Sequence, residues 1–135
     1  NTQRRSLGQA IEQNTQVYLA DSMGEMWLWY AMSQACFVGG SLNEPGGGHN
    51  ILEPIALNVP TVLGKNYFNF QTIVDEFVEA SAVKIVQTAE DTAKDLVQLV
   101  YDPALVEHLN LNAANIMEKN KGSLVKHVHV IDQYL

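Results

Sequence analysis

Short apolar runs alternate with helical periods along most of the chain. Gln16-Val-Tyr-Leu19, Cys36-Phe-Val38, Thr61-Val-Leu63 and Val83 to Val86 read as strands. Helical spacing covers Ser22 to Ser33, Asn50 to Leu57, and Phe70 to Ala80, where Phe70, Ile73, Val74 and Phe77 share a face. It returns from Glu90 to Tyr101, with Ala93, Leu96, Val97 and Val100 inward, and again from Asp102, with Leu105, Leu109, Ala113 and Ile116 inward. Gly122 interrupts, and Leu124, Val128, Ile131 and Leu135 mark a last helix. The ends carry their own signals. Ser22-x-x-Glu25 has the form of a capping box. Asp102-Pro103 is an N-cap followed by proline at the first helical position. Asn58 ahead of Pro60 is a terminator.

Repeated strand–helix units with apolar strands predict an α/β domain: a Rossmann-like parallel sheet with helices on both faces. Right-handed crossovers then bring the strand-to-helix loops to one edge of the sheet, where ligands bind in such folds. Two of these loops stand out. One is Asp21-Ser-Met-Gly-Glu25. The other is the run from Phe37 to Pro54, which holds five of the nine glycines. Both are expected to open on the same crevice. The stretch near residues 3–6 reads as an unpaired sheet edge.

At 135 residues the chain is the size of one domain. Its net charge of −7, with only eight Lys plus Arg, excludes a sequence-independent nucleic-acid binder. A charged fraction of 17% is low and points to surface covered by another domain. The single cysteine, Cys36, sits in an apolar strand and reads as a buried, inert thiol in a reducing compartment. There is no apolar stretch long enough to span a bilayer and no signal peptide. The chain opens on Asn1 in polar sequence, which reads as a piece of a longer protein. His108 is isolated, and His127 and His129 lie two apart, so no metal pair is formed; no metal and no cofactor are expected.

The glycine run fails both common phosphate signatures. A P-loop needs Lys-Ser or Lys-Thr after its last glycine, and a dinucleotide fingerprint needs glycine where Ile51 stands. What remains is two helix starts, with backbone N–H groups at Met23 to Glu25 and at Asn50 to Leu52 available to a phosphate. Glu25 and Glu53 can accept from a ribose diol, or can simply complete a cap and complement a helix dipole. His49, beside three glycines, can donate to a phosphate or carboxylate. Met26-Trp-Leu-Trp-Tyr30 is apolar all round, as in a buried helix or a face against a further domain.

Asp21-Ser-Met-Gly-Glu25, Phe37-Val-Gly-Gly-Ser-Leu42, Gly47-Gly-His-Asn-Ile-Leu-Glu-Pro54, the stretch ending at Pro60, and Gly64 with Phe68-Asn-Phe70 resemble the C-terminal domain of the 3-deoxy-D-manno-octulosonic acid (Kdo) transferases. The resemblance implies the C-terminal half of a glycosyltransferase-B enzyme, with residues 1–135 a partial nucleotide-sugar-binding domain and the N-terminal acceptor domain absent. It implies transfer of Kdo from CMP-Kdo to the lipid A precursor, at the cytoplasmic face of the Gram-negative inner membrane, without a cofactor. It assigns CMP-Kdo contacts to Met23, Gly24, Glu25, Gly48, His49, Asn50, Ile51, Leu52 and Glu53. The catalytic base, the acceptor site and the membrane association belong to the absent N-terminal part, so no catalytic residue is expected in this chain. The loop from Ser41 to His49 is one residue longer than the family pattern. Two other readings stay open: a UDP-sugar transferase or epimerase of the same fold, and a non-catalytic interaction domain.

Overall fold

The computed structural model describes residues 1–121. In chain order the elements are β1 (Thr2–Arg4), β2 (Val17–Leu19), α1 (Met26–Ala31), β3 (Cys36–Val38), α2 (Leu52–Ala56), β4 (Thr61–Gly64), α3 (Gln71–Glu79), β5 (Lys84–Val86), α4 (Ala89–Tyr101) and α5 (Pro103–Asn120). Short 3-10 turns occupy Arg5–Leu7 and Phe68–Phe70. The helix expected beyond Gly122 lies outside the described residues.

Among the described residues every strand pairing is parallel, as the strand–helix alternation predicts. The strands do not form one sheet, however. They divide into a two-stranded sheet, β1-β2, and a three-stranded sheet, β3-β4-β5. Residues 2–4 are also paired, against the expectation of a free edge, with Gln3 opposite Tyr18. No apolar period could announce β1, because polar groups hold it. The Asn1 ammonium donates to Gln16 Oε1, and the Gln3 carboxamide bridges to Ala10, Glu12 and Thr15.

The three-stranded sheet is covered on both faces. Val38, Leu63 and Ile85 lie in register on one face, over Ile51 and Ile55 of the α2 segment and Val74 and Phe77 of α3. Phe37 and Val62 lie in register on the other, with Val86, Leu96 and Leu99 of α4. Helix α5 wraps the edge, giving Leu105 and Leu109 to the second face and Ala113 and Ile116 to the first. The alternation of strand side chains thus builds two clusters, with Val62 and Leu63 on opposite sides.

Three helices depart from the sequence pattern. Helix α1 starts at Met26 and not at Ser22, and the capping box does not form. The Ser22 hydroxyl donates to the Glu25 carboxylate, while Glu25 takes the N-cap position without capping by its side chain. Nor is α1 buried: Trp27 is 53% exposed and Met32, just past its end, 63%. Helix α2 starts late because Asn50 Oδ1 accepts from the Leu52 amide at 3.0 Å, closing a local turn first. In α4 the inward side runs through Leu96 and Leu99, and Val97 and Val100 face out. Lys84 on β5 fixes that rotation by donating to Asp95 at 2.8 Å and Gln98 at 3.0 Å.

Asp102 Oδ1 caps α5 by accepting from the Leu105 amide at 3.0 Å, with Pro103 in the first turn. Helix α5 seals both clusters, so its start matters globally. Asp102→Ala is expected to lower the unfolding free energy by about 1 kcal/mol, and Asp102→Asn by a few tenths, as measured by urea denaturation.

Candidate functional site

The glycine run is positioned by a buried hydroxyl. Ser41, fully buried, donates to the Val38 carbonyl at 2.7 Å and accepts from the Gly64 amide at 2.7 Å. The chain leaving β3 therefore presses against the end of β4. A Cβ on Gly64 would lie 2.2 Å from the Ser41 carbonyl oxygen, so only glycine fits there. From this junction the run is stitched to the loop after β4. The Asn66 amide donates to Ser41, the Gly47 amide to Asn66, and the Asn69 amide to Gly47. Gly48 closes the loop by donating to the Gly40 carbonyl at 2.9 Å. Glu44 and Pro45, in the middle of the loop, are exposed.

Those bonds use up several of the run's amides. The amides of Gly47 and Gly48 are already committed, and the Leu52 amide is held by Asn50. Among the described residues, the Asn50 and Ile51 amides have no recorded hydrogen-bond acceptor. The Ile51 side chain is fully buried in the core and that of Leu52 lines an apolar cleft, so neither side chain faces the loop edge. His49 is exposed, and its ring lies over Gly40, where an added Cβ would come within 3.2 Å of Nε2.

The second loop is clamped from below. Arg5, in the turn after β1, forks the Glu25 carboxylate, with Nη2 donating to Oε1 at 2.8 Å and Nε to Oε2 at 3.1 Å. Asp21 accepts from the Ser6 amide at 2.9 Å and from its hydroxyl at 2.8 Å, and pairs with Arg4. The two acids that bracket Ser22-Met23-Gly24 are thus both tied to residues 4–6. The tip is left open: Met23 is 97% exposed, and Gly24 has φ of 81° with open space where a Cβ would stand. The Arg5 hydrogen bonds, then that of Ser22, hold the Glu25 carboxyl down at about 2.

The two loops meet through their helices. Helix α1 packs on α2. Tyr30 near the end of α1 has its hydroxyl pushed up, chiefly by burial and then by the neighbouring Cys36 thiol and Glu53 carboxylate. Glu53 is half-buried in the first turn of α2. Burial likewise raises the Cys36 thiol, which sits 3.5 Å from the Thr61 hydroxyl and is inert in that state. Two surface cavities lie nearby. A cleft of about 330 Å³ separates α2, α3 and α5 and is largely apolar, lined by Ile73, Phe77 and Met117. A smaller one of about 170 Å³, lined by Lys65, Asn66, Tyr67, Phe68 and Gln71, adjoins the glycine run. Among the described residues no group of three His, Cys, Asp or Glu side chains is placed to hold a metal ion, and no helix is long and apolar enough to cross a membrane.

The chain is similar to known proteins along most of its length. The chain is 38% identical over 133 residues to the 3-deoxy-D-manno-octulosonic acid transferase of Haemophilus influenzae, covering 98% of this chain and 31% of that protein. It is 27% identical over 119 residues to the enzyme of the same name from Bordetella pertussis, covering 88% and 28%. The crystal structure of the C-terminal CMP-Kdo binding domain of WaaA from Acinetobacter baumannii superposes with a TM-score of 0.84 at 61% identity, over 86% of this chain and 60% of that one. The chain is a homologue of the Kdo transferases. It spans about a third of the length of these curated relatives. No family model matches it. The resemblance read from the motifs is thereby confirmed, as is the α/β fold with parallel strands.

Of the residues singled out from the sequence, Met23, Gly24 and Glu25 sit together on the first loop, and Gly48, His49 and Asn50 on the second. The structure adds residues that the motifs did not single out as part of the site: Ser41, Asn66 and Asn69, which shape the run, and Arg5, which holds Glu25. Ser41→Ala leaves the buried Gly64 amide without an acceptor and is expected to cost about 1–3 kcal/mol in urea denaturation. Glu25 gives a pH signature. Its folded value of about 2 lies below the ordinary 4.5, so its contribution to stability is complete above pH 4.5 and disappears as pH falls through 2. Carboxyl carbon resonances followed by NMR should show Glu25 titrating near pH 2. Arg5→Ala should return it towards 4.5.

Proposed function

We propose that this chain is the donor-binding domain of a glycosyltransferase that moves Kdo from CMP-Kdo to the lipid A precursor in lipopolysaccharide biosynthesis. The observation that carries this reading is the 61% identity, at a TM-score of 0.84, to a domain named for CMP-Kdo binding. In this reading residues 1–135 are part of the C-terminal half of a two-domain glycosyltransferase-B enzyme acting at the cytoplasmic face of the inner membrane. The acceptor lipid, the membrane contact and the catalytic base belong to the N-terminal half.

The chemistry is a displacement with inversion. The acceptor hydroxyl attacks the anomeric carbon, its proton goes to the base, and the bond to the CMP phosphate breaks. Negative charge grows on the departing phosphate, so the work of this domain is to hold CMP and stabilise that charge. Helices α1 and α2 have six and five residues, too few to lend much macrodipole. The reading therefore rests on individual amides: Met23 to Glu25 on one side, Asn50 and Ile51 on the other, with His49 as a further donor. Glu25 and Glu53 serve as acceptors for the ribose diol. Gly48 supports the second loop from beneath, and Leu52 holds the α2 end in place.

Calorimetric titration of the chain with CMP and with UMP tests the assignment. CMP is expected to bind, with UMP at least about tenfold weaker and with the amide resonances of Gly24, His49 and Glu53 shifting on CMP addition. Equal binding of the two nucleotides, or a preference for UMP, would move the assignment to a UDP-sugar enzyme. Absence of binding by either would remove the donor role from this chain.

A further inference from the structure

We propose that Arg5 is a positioning residue for nucleotide recognition: it fixes the Glu25 carboxylate as an acceptor for the ribose hydroxyls. The proposal rests on the donor-binding reading above and deepens it.

Three observations lead there. The first is geometry. Nε and Nη2 of Arg5 engage both oxygens of Glu25 at 3.1 and 2.8 Å, the bidentate fork that only arginine provides. A single hydrogen bond would leave the carboxylate free to rotate; two parallel ones fix its plane. The second is the count of acceptors. Oε2 takes Arg5 Nε and the Ser22 hydroxyl, whereas Oε1 takes Arg5 Nη2 alone. Oε1 therefore keeps a lone pair for an outside donor, on a side chain that is 27% exposed. The third is the anchoring of the arginine itself. Residues 4–6 also grip Asp21, through Arg4 and through both the amide and hydroxyl of Ser6. Arg5 is thus mounted on a segment pinned to the opposite end of the same turn, with Met23 and Gly24 exposed between the two grips.

Sequence alone suggested another partner for Glu25. A glutamate three residues after a serine at a helix start ordinarily reaches back to cap it. Here the fork pulls the carboxylate away from the helix end, and α1 begins without side-chain capping. A carboxylate diverted from a cap, kept ionised and left with an open lone pair at the tip of a strand-to-helix loop, is arranged to accept from a ligand. A ribose offers two adjacent hydroxyl donors of the right kind.

The test compares CMP with 2′,3′-dideoxy-CMP, which lacks both hydroxyls, in calorimetric titrations of the wild-type chain, Arg5→Ala, Arg5→Lys and Glu25→Gln. Tm is measured alongside. The wild type should prefer CMP by about tenfold or more, the scale of one hydrogen bond to a charged acceptor. Arg5→Ala should reduce that preference to about twofold or less, Glu25→Gln should do the same, and Arg5→Lys should fall between. A purely structural role for Arg5 would lower Tm and weaken both ligands by the same factor, leaving the ratio at its wild-type value; that result overturns the proposal. A wild type that binds both nucleotides equally also overturns it. If the wild type binds neither, the donor-binding reading itself fails, which is a different and separable outcome.

Discussion

The arrangement of the glycine run depends on one hydroxyl. Ser41 bridges the Val38 carbonyl and the Gly64 amide with no exposure to solvent. It does so at the point where two parallel strands end and their loops diverge. A backbone amide buried at such a point must find an acceptor, and the neighbouring main chain is already turning away. Supplying the acceptor from a side chain lets β3 and β4 end side by side. The price is steric: the Ser41 carbonyl then crowds Gly64 so closely that no other residue fits. Everything after that junction, from the Asn66 and Asn69 stitches to the placement of His49 over Gly40, follows from the direction in which the chain leaves it.

Much of this was legible in the sequence, for reasons that differ by element. Strands β3, β4 and β5 lie in short apolar runs, β3 stopped by Gly39 and β4 set between Pro60 and Lys65, and α5 carries its start signal in Asp102-Pro103; local physics fixes them. Strand β1 was legible only as a free edge, because Thr2-Gln-Arg4 has no apolar period to announce its pairing with β2. The rotation of α4 was misread because Val97 and Val100 fit the period as well as Leu99 does, and the ion pair from Lys84 decides between them. At the site, Ser22-x-x-Glu25 satisfied the motif for a cap. The competing partner, Arg5, lies twenty residues away in sequence, beyond the reach of any local rule. The same holds for Ser41, whose partner Gly64 is twenty-three residues on.

The two loops that carry the candidate contacts are unequally supported. The glycine run is backed by both apolar clusters. The Asp21–Glu25 turn belongs to a region in which no residue before Val38 is buried. Its order comes from ion pairs and hydrogen bonds at the surface, of the kind that contribute modestly one by one. Leu7, Ile11, Val17 and Leu19 are all between 44% and 61% exposed. In such a region polar geometry, and not core packing, decides where the site residues point.

The division of the strands into two separate sheets has a mechanical consequence. Among the described residues no ladder of backbone hydrogen bonds joins β1-β2 to β3-β4-β5, and the packing of α1 on α2 is the main link between them. A molecule gripped by residues of both loops would be a cross-link between them. Its binding would restrict their relative motion, and part of the binding energy would be spent on that ordering. The same ligand would then act as a tether whose removal loosens the smaller sheet first.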